Sequence, residues 1–324
     1  MEHALTLMVD EEHRDLPVGP NHDDMTRALT FSADGEYLWS AGGRSVRMWR
    51  LEDGKQITKM EAQGYDDVYC LAVSKDERWV AAGTYMDNAF VWDARTYKRV
   101  FSGKGGDSGV DSSPDSSRLV SASKWRNATI WDIATGKQVQ TLHYGHGVHG
   151  VYAARYSPRG DRIATASEHS VRVWDSNDGR PLVKVDTRLI SAYNNGLLWC
   201  NDHLFVASGG KIQQIDASTE SKISEWPIPN SDDRSCIALS QHGEFIAYST
   251  EHSVTFWDTA TGTQISHIQC SHGIGPITLS PDNRFLATGS RRRDGNITTK
   301  SLPHVAASIC LIRLWCTCSH HIST

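Results

Sequence analysis

The chain has 324 residues, of which 39% are hydrophobic, and its formal net charge is −5. This length accommodates one large all-β domain, and the mildly acidic charge argues against a dominant nucleic-acid or anionic-membrane footprint. No apolar run approaches the ~20 residues needed to cross a bilayer, and the N-terminus lacks the basic start of a signal peptide. The seven cysteines are scattered and odd in number. We therefore expect a reduced, intracellular protein, placed in the cytoplasm.

The first 24 residues precede the repeated part of the chain. Residues 3–9 are apolar and alternate weakly, which favours a short extended segment. Residues 10–24 are acidic and contain Pro17, Gly19 and Pro20, so they are predicted to form a loop. His22 stands nine residues before Phe31.

A unit of four short β-strands separated by turns repeats along the rest of the chain. Residues 151–175 show it most clearly, with apolar runs interrupted by turns at 157–160 and 168–169 and a fourth run at 181–185. Two independent markers keep the same period of 39 to 44 residues. One is the serine of the turn after the first strand, and the other is a tryptophan in the third strand, at Trp49, Trp92, Trp131, Trp174 and Trp257. A shared period in two different strands indicates a true internal repeat.

The dipeptides Trp92-Asp93, Trp131-Asp132, Trp174-Asp175 and Trp257-Asp258 resemble the name-giving motif of the WD40 family. The resemblance covers residues 1–301 and implies an all-β fold, a seven-bladed β-propeller of four-stranded antiparallel blades. The expected blades are 25–63, 64–104, 105–146, 147–188, 189–230, 231–270 and 271–301. Family members commonly close the ring with an N-terminal strand, so residues 3–9 are expected to join the last blade. A loose N-terminal tail is the alternative.

Three blades depart from the pattern. The approach to blade three is rich in glycine and its first strand, 109–112, is poor in apolar residues, so we expect weak packing and mobility there. Blade five has Ile215 in place of the tryptophan, and Trp199 is a candidate to refill part of that space. In blade seven the runs 296–301 and 309–315 compete for the third strand. Spacing favours 296–301, which leaves 302–324 as a poorly ordered tail.

The resemblance also implies structural roles for one histidine and the third-strand tryptophans. His22 matches the family's Gly-His histidine, and Trp49, Trp92, Trp131, Trp174 and Trp257 match its buried rings. The aspartate that normally completes this hydrogen-bonded set is replaced at Gly43, Met86, Trp125, Glu168 and Glu251. We interpret this as divergence and expect the fold to depend more on apolar packing than on that network.

Several groups with possible chemistry have simpler structural explanations. Glu168-His169 and Glu251-His252 occupy equivalent turns of related repeats, which favours tight hairpins over acid–base pairs. Cys316, Cys318, His320 and His321 fall within six residues of the tail, whereas zinc ligands usually come in pairs separated by a folded loop. We therefore expect no metal, no cofactor and no catalytic residue.

Loops at one end of the blades carry side chains typical of interfaces. The candidates for partner binding are Tyr65, Asp67, Tyr85, Met86, Trp125, Arg126, His149 and Tyr193. Aromatic and arginine side chains at loop tips favour a docking role. The alternative is that Tyr85 and Trp125 fold back over the neighbouring blade as core.

The sequence thus predicts a non-enzymatic scaffold that docks a protein or peptide on the top face of the propeller near blades two to four. It is expected to be a monomer that binds neither nucleic acid nor membrane. One alternative is an enzyme with a hydrolase- or lactonase-type site in the central channel, for which Asp111 and His149 are the nearest candidates. Another is a regulatory or vestigial fragment of a larger signalling protein.

Overall fold

The computed structural model describes residues 16–17, 25–63, 66–125, 127–144, 150–187, 196–208, 210–228, 236–270, 273–290 and 297–302. Within these ranges the chain forms seven separate four-stranded antiparallel sheets. Six are built from consecutive strands, and the seventh takes one strand from near the N-terminus. The predicted fold class, an all-β propeller of seven blades closed by an N-terminal strand, is confirmed.

Each blade is a meander in which the first strand lies innermost and the fourth outermost. Blades one to three comprise β2 to β13: Thr26–Phe31, Tyr37–Gly42, Ser45–Arg50 and Gln56–Glu61; Val68–Val73, Trp79–Thr84, Asn88–Asp93 and Arg99–Lys104; Gly109–Ser112, Arg118–Ala122, Asn127–Asp132 and Gln138–His143.

Blades four to seven comprise β14 to β28, with β1 added to the last: Val151–Tyr156, Arg162–Ser167, Ser170–Asp175 and Pro181–Asp186; Leu197–Cys200, His203–Ser208, Lys211–Asp216 and Lys222–Pro227; Ile237–Leu239, Phe245–Ser249, Ser253–Asp258 and Gln264–Gln269; Ile274–Leu279, Phe285–Ser290, Ile297–Ser301 and Leu16–Pro17.

The ring closes where Leu16–Pro17 pairs with the third strand of blade seven. Leu16 lies opposite Thr299 and Pro17 opposite Thr298 in an antiparallel register. A proline is compatible with this position because an outermost strand leaves one side unpaired. The strand that closes the ring therefore lies within 10–24, the stretch predicted from sequence to be a loop, and that prediction is wrong at Leu16–Pro17. The segment 3–9, which the sequence predicted to be the closing strand, lies outside the described residues, as do the competing run 309–315 and most of 302–324.

The core lies between blades rather than inside any one of them. One cluster joins Val120 and Ile130 of blade three to Tyr156 and Trp174 of blade four, all buried. Because each sheet buries both faces against its neighbours, its inner strands read as short apolar runs with small residues interspersed. This arrangement leaves the turns at the two ends of each blade to face solvent.

Blade three is well packed, so the weak packing predicted for it is wrong. Residues 105–110 are all buried, and Val110 and Leu119 are fully so. The glycines allow close backbone approach: a Cβ on Gly83 would clash with the Gly106 carbonyl and lie 2.6 Å from the Cys70 Sγ. Glycine here allows contact between the backbones of blades two and three. Composition alone predicts a lack of packing from the same glycines.

The third-strand tryptophans keep part of the predicted network. The indole nitrogens donate to a second-strand hydroxyl in three blades, at Trp49–Ser40 (2.8 Å), Trp131–Ser121 (2.9 Å) and Trp174–Thr165 (2.6 Å). Thr165 also hydrogen-bonds the hydroxyl of Tyr144, a buried residue that follows the outer strand of blade three. His22, the histidine predicted to join such a network, lies outside the described residues.

Blades two and six lack this hydroxyl. Ala82 and Tyr248 hold the equivalent positions, two residues beyond the partner of the tryptophan in the register. The buried Trp257 indole nitrogen has no partner among the described residues. In blade five, Ile215 is fully buried and Trp199 packs half-buried against its cluster. These blades therefore depend on apolar packing, in agreement with the eroded motif.

The outer strand of six blades carries a β-bulge at its second residue. In every case one apolar residue is skipped in the pairing with the third strand: Ile57, Val100, Val139, Leu182, Ile223 and Ile265. Four of them, in blades two to five, are exposed. The bulge bends each outer strand away from a regular ladder.

Candidate partner-binding face

Two neighbouring hairpin turns present large apolar side chains to solvent. The first joins β7 to β8 in blade two and carries Tyr85 and Met86, which are 56% and 60% exposed. The second joins β11 to β12 in blade three and carries Trp125, which is 67% exposed. The alternative in which Tyr85 and Trp125 form core is therefore wrong. We call these two turns the double hairpin.

Asp66 anchors the turn in blade two from below. Its buried carboxylate accepts hydrogen bonds from the Thr84 hydroxyl, from the Met86 backbone N–H at 2.8 Å and from the Asn88 amide at 2.7 Å. The half-buried Asp67 contributes its backbone carbonyl, which accepts from the Tyr85 N–H at 2.8 Å. With both Tyr85 and Met86 held by their backbones, the turn displays their side chains in a set direction.

Asp107 anchors the turn in blade three in a similar way. Its buried carboxylate accepts from the Lys124 backbone N–H at 2.9 Å and from the Ser108 hydroxyl at 3.0 Å. The Lys124 ammonium lies 3.1 Å from the second oxygen of the same carboxylate. Two similarly placed aspartates, 41 residues apart, thus position the two halves of the double hairpin.

Lys124 joins the two turns. Its ammonium donates to the Tyr85 carbonyl at 3.5 Å. It lies 4.5 Å from the centroid of the Tyr85 ring and 5.8 Å from that of Trp125, within cation–π range. The cation is therefore placed between two exposed rings from different blades, and it fixes them relative to each other.

The array continues inward through Tyr69 to Arg27. The Tyr69 and Tyr85 rings stack with centroids 5.7 Å apart and an interplanar angle of 30°. The Arg27 guanidinium lies 4.0 Å above the other ring of this pair, that of Tyr69. Arg27, Tyr69, Tyr85, Lys124 and Trp125 form one continuous array, which we call the aromatic–cation array.

Both inner members of the array are bulge residues. Arg27 is skipped between Thr26 and Ala28 in the pairing of β2, and Tyr69 is skipped in the same way in β6. A bulge turns a side chain away from the regular alternation of a strand. Sequence patterning missed both residues for this reason, although Lys124 could have been found because it directly precedes Trp125.

Two ionisable groups near the array, Asp87 and Tyr152, have raised pKa values. Burial raises the pKa of Asp87, whose Oδ1 atom is buried without a partner among the described residues. Burial, followed by the negative charges of Glu168 and Asp107, raises the pKa of the Tyr152 hydroxyl. The face is therefore mixed in charge, with carboxylates set below the cations.

Of the eight predicted partner-binding residues, the structure describes four. Tyr85, Met86 and Trp125 lie together on the double hairpin, and Asp67 supports it through its backbone. The remaining four, Tyr65, Arg126, His149 and Tyr193, lie outside the described residues. Partner binding by these residues stays a prediction.

The central channel contains a cavity of about 380 Å³ lined by the first strands. Its charged lining residues are Asp111 and Arg155. Burial raises the pKa of Asp111, and the charge of Arg155 opposes this shift. The carboxylate accepts from the Tyr156 N–H at 2.8 Å, while Arg155 donates to the backbone carbonyls of Val110 and Ala154. The two groups thus bridge the walls of blades three and four.

Other candidate sites form no cluster in the described ranges. No group of three or more His, Cys, Asp or Glu side chains there could hold a metal ion. The His169 ring lies 4.0 Å from Glu168 and the His252 ring 3.9 Å from Glu251, each pair in its own exposed turn. Cys316, Cys318, His320 and His321 lie outside the described residues, as does His149.

Comparison with known proteins agrees with this architecture. Residues 54–93, 95–132 and 136–175 match the family model of the WD40 repeat, described as WD domain, G-beta repeat. The β-propeller domain of Cps50 (Swd1) from Myceliophteria thermophila superimposes with a TM-score of 0.75 at 16% identity, covering 89% of this chain and 99% of that one. At this identity the likeness shows the fold.

Curated relatives include Protein groucho of Drosophila melanogaster, 22% identical over 83% of this chain and 38% of its own length. WD repeat-containing protein 1 of Xenopus tropicalis is 28% identical over 56% of this chain and 33% of its own length. The chain spans less than half the length of these relatives. No helix among the described residues is long and apolar enough to cross a membrane.

Proposed function

Because this chain belongs to the WD40-repeat family, we propose that it is a non-enzymatic scaffold that docks a protein or peptide partner on the double hairpin of blades two and three. The observation that carries the proposal is the joint exposure of Tyr85, Met86 and Trp125 on two turns held together by Lys124. Large exposed apolar side chains on rigid supports are typical anchors of protein interfaces.

The rigidity of the two turns supports a docking role over an inert surface. Asp66 and Asp107 each accept several hydrogen bonds, so the rings above them are ordered before a partner arrives. Pre-ordering lowers the entropic cost of binding, which is about 0.5–1.5 kcal/mol for each side chain that would otherwise be immobilised. A surface turn without a binding role would not require such a set of buried hydrogen bonds.

The proposal includes the setting of the protein. It places the chain inside the cell, in the cytoplasm, as a monomer whose partner is a protein rather than a nucleic acid or a membrane. Lys124 is neutralised by Asp107, and Asp66 and Asp87 lie nearby, so the face lacks the excess positive charge that phosphate backbones require. A channel enzyme receives less support, because the described residues that line the cavity include one carboxylate, that of Asp111.

The test is affinity capture from native lysate with quantitative mass spectrometry. The wild type is compared with a Tyr85→Ala/Trp125→Ala double variant and with a Tyr97→Ala control. Tyr97 is also exposed in blade two, but it lies in the turn at the other end of β8. A partner retained by the wild type and the control but lost by the double variant supports the proposal. Equal capture by all three proteins overturns it.

A further inference from the structure

The chemistry of the aromatic–cation array points to the kind of segment that it takes. We propose that the array binds an extended acidic segment of a partner protein, with an aromatic or proline residue on the outer face of Trp125 and a carboxylate paired with Arg27. This inference rests on the proposed docking function and adds the partner's chemistry.

Lys124 already occupies one side of the Tyr85 and Trp125 rings. Lys124 lies 4.5 Å from the Tyr85 centroid and 5.8 Å from that of Trp125, and it is held there by Asp107 at 3.1 Å. A ring attracts a cation through the negative charge of its π face. Tyr69 stacks on Tyr85 and Lys124 lies over the same ring, so the outer face of Trp125 is the one considered for binding. Since Lys124 already draws on the π electrons of Trp125, a second cation gains little from that face. An apolar ring loses nothing, because stacking and burial of area do not depend on that charge.

The inner end of the array carries the positive charge of Arg27. The Arg27 guanidinium is stacked on Tyr69, and no carboxylate among the described residues forms an ion pair with it. Its Nε atom is buried without a partner in the same part of the chain. A guanidinium presents a fixed fork of donors that fits a carboxylate bidentately. Arg27 therefore supplies the specific polar contact, whereas Lys124 is already committed to Asp107.

The extent of the array sets the direction of the bound segment. The array runs without a break from Arg27 through the stacked Tyr69 and Tyr85 rings to Trp125. The contact therefore extends from a first strand at the channel to the turn of the next blade but one. A site formed by successive side chains from three blades suits an extended segment, in which alternate side chains point to the same side about 6–7 Å apart. A carboxylate at one end and a ring at the other then meet Arg27 and Trp125.

The experiment uses three fluorescein-labelled twelve-residue peptides of equal length and tryptophan content, with glutamate, lysine or serine as the spacer residues, and a twelve-nucleotide oligouridine. Binding to the full chain is measured by fluorescence anisotropy at two salt concentrations. We expect the acidic peptide to bind at least tenfold more tightly than the lysine peptide, with the serine peptide between them. We also expect its affinity to weaken at the higher salt.

The variants separate the two contacts. Arg27→Gln is expected to weaken the acidic peptide about tenfold and to reduce its salt dependence, while the serine peptide is unchanged. Trp125→Ala is expected to weaken all three peptides. The matched controls Arg95→Gln and Tyr97→Ala alter exposed residues in the turn at the other end of β8, and they are expected to change no affinity. Thermal unfolding of each variant verifies that it is folded.

The outcomes distinguish this inference from the docking function itself. Tighter binding of the lysine peptide or of oligouridine overturns the acidic-segment proposal. Equal binding of all peptides, with loss in Trp125→Ala, also overturns it and leaves the double hairpin as a docking site. Indifference of every peptide to Trp125→Ala, or no binding of any peptide at millimolar concentration, overturns the acidic-segment proposal. The affinity capture from native lysate then decides whether the double hairpin is a docking site.

Discussion

The Lys124 ammonium and the Asp107 carboxylate form an ion pair of 3.1 Å in which the Asp107 side chain is 3% exposed. Both residues belong to blade three, yet the pair also holds the Tyr85 ring of blade two in place. Because this ion pair orders side chains of two blades, its loss is expected to change the conformation of the surface above it. This pair connects the stability of the propeller to the geometry of its proposed docking face.

Removing the charge of Lys124 tests that connection. In Lys124→Met the stem is kept and the buried Asp107 carboxylate loses its counter-ion, so we expect the free energy of unfolding to fall by about 1–3 kcal/mol. Amide hydrogen exchange in the two turns is expected to accelerate at the same time. The comparison is a double-mutant cycle with Asp107→Asn in urea unfolding. Additive effects of the two changes would show that the ion pair is energetically silent.

The Thr165 hydroxyl is the centre of a small buried network. It accepts from the Trp174 indole at 2.6 Å and hydrogen-bonds Tyr144. Thr165→Val keeps the shape but leaves the buried Trp174 N–H and the buried Tyr144 hydroxyl without this partner, which costs about 1–3 kcal/mol for each unsatisfied group. We expect a melting temperature several degrees lower by calorimetry. Tyr144→Phe removes one hydroxyl and leaves the Trp174–Thr165 hydrogen bond in place, so its effect is expected to be smaller. An unchanged melting temperature in Thr165→Val would contradict this assignment.

The close approach of blades two and three makes Gly83 sensitive to substitution. In Gly83→Ala the new methyl group would meet the Gly106 carbonyl and the Cys70 sulfur. Overpacking of this kind costs typically about 1–3 kcal/mol. The measurement is urea unfolding, and Ser102→Ala on the exposed outer strand of blade two serves as the control. If both variants unfold at the same urea concentration, the two backbones are not in contact.

Glu225 has a depressed pKa of about 2, because the Lys222 and Lys211 side chains donate to its carboxylate. A carboxyl whose folded pKa lies below its unfolded value stabilises the fold above the unfolded pKa, here 4.5. That contribution is lost as the pH falls toward 2. We expect carbon-detected NMR titration to show Glu225 titrating well below other glutamates. In Lys222→Gln its pKa is expected to rise, whereas an unchanged midpoint would exclude the pairing.

Much of the fold can be predicted from the sequence because each blade repeats the same residue pattern. The serine turn and the third-strand tryptophan recur at one period, and the structure confirms a closed ring of seven sheets. The error at blade three has a definite cause. Composition predicts weak packing from Gly103 and Gly106 because they have no side chains, yet Gly103 packs under the Trp131 ring and Gly106 touches Ala89.

The candidate site was only partly accessible to the same reasoning. Tyr85, Met86 and Trp125 stood out because bulky residues are unusual at turn tips. Arg27 and Tyr69 could not be identified, since the β-bulges that redirect them leave no mark in the apolar pattern. Asp66 and Asp107 were also missed, because they occupy the between-blade segment instead of the position where the family places its aspartate.

The skipped apolar residue in the outer strand of six blades also governs how separate molecules meet. An outermost strand carries unpaired N–H and C=O groups that invite a strand from another chain. A bulge one residue into that strand breaks the spacing of these groups, so a foreign strand finds a matching ladder along part of the edge only. The exposed apolar residues Val139 and Ile223 would otherwise favour association with another chain. They lie at the bulge, where pairing with a strand of another molecule is interrupted. The same irregularity that bends each outer strand thus limits strand-by-strand pairing between separate rings.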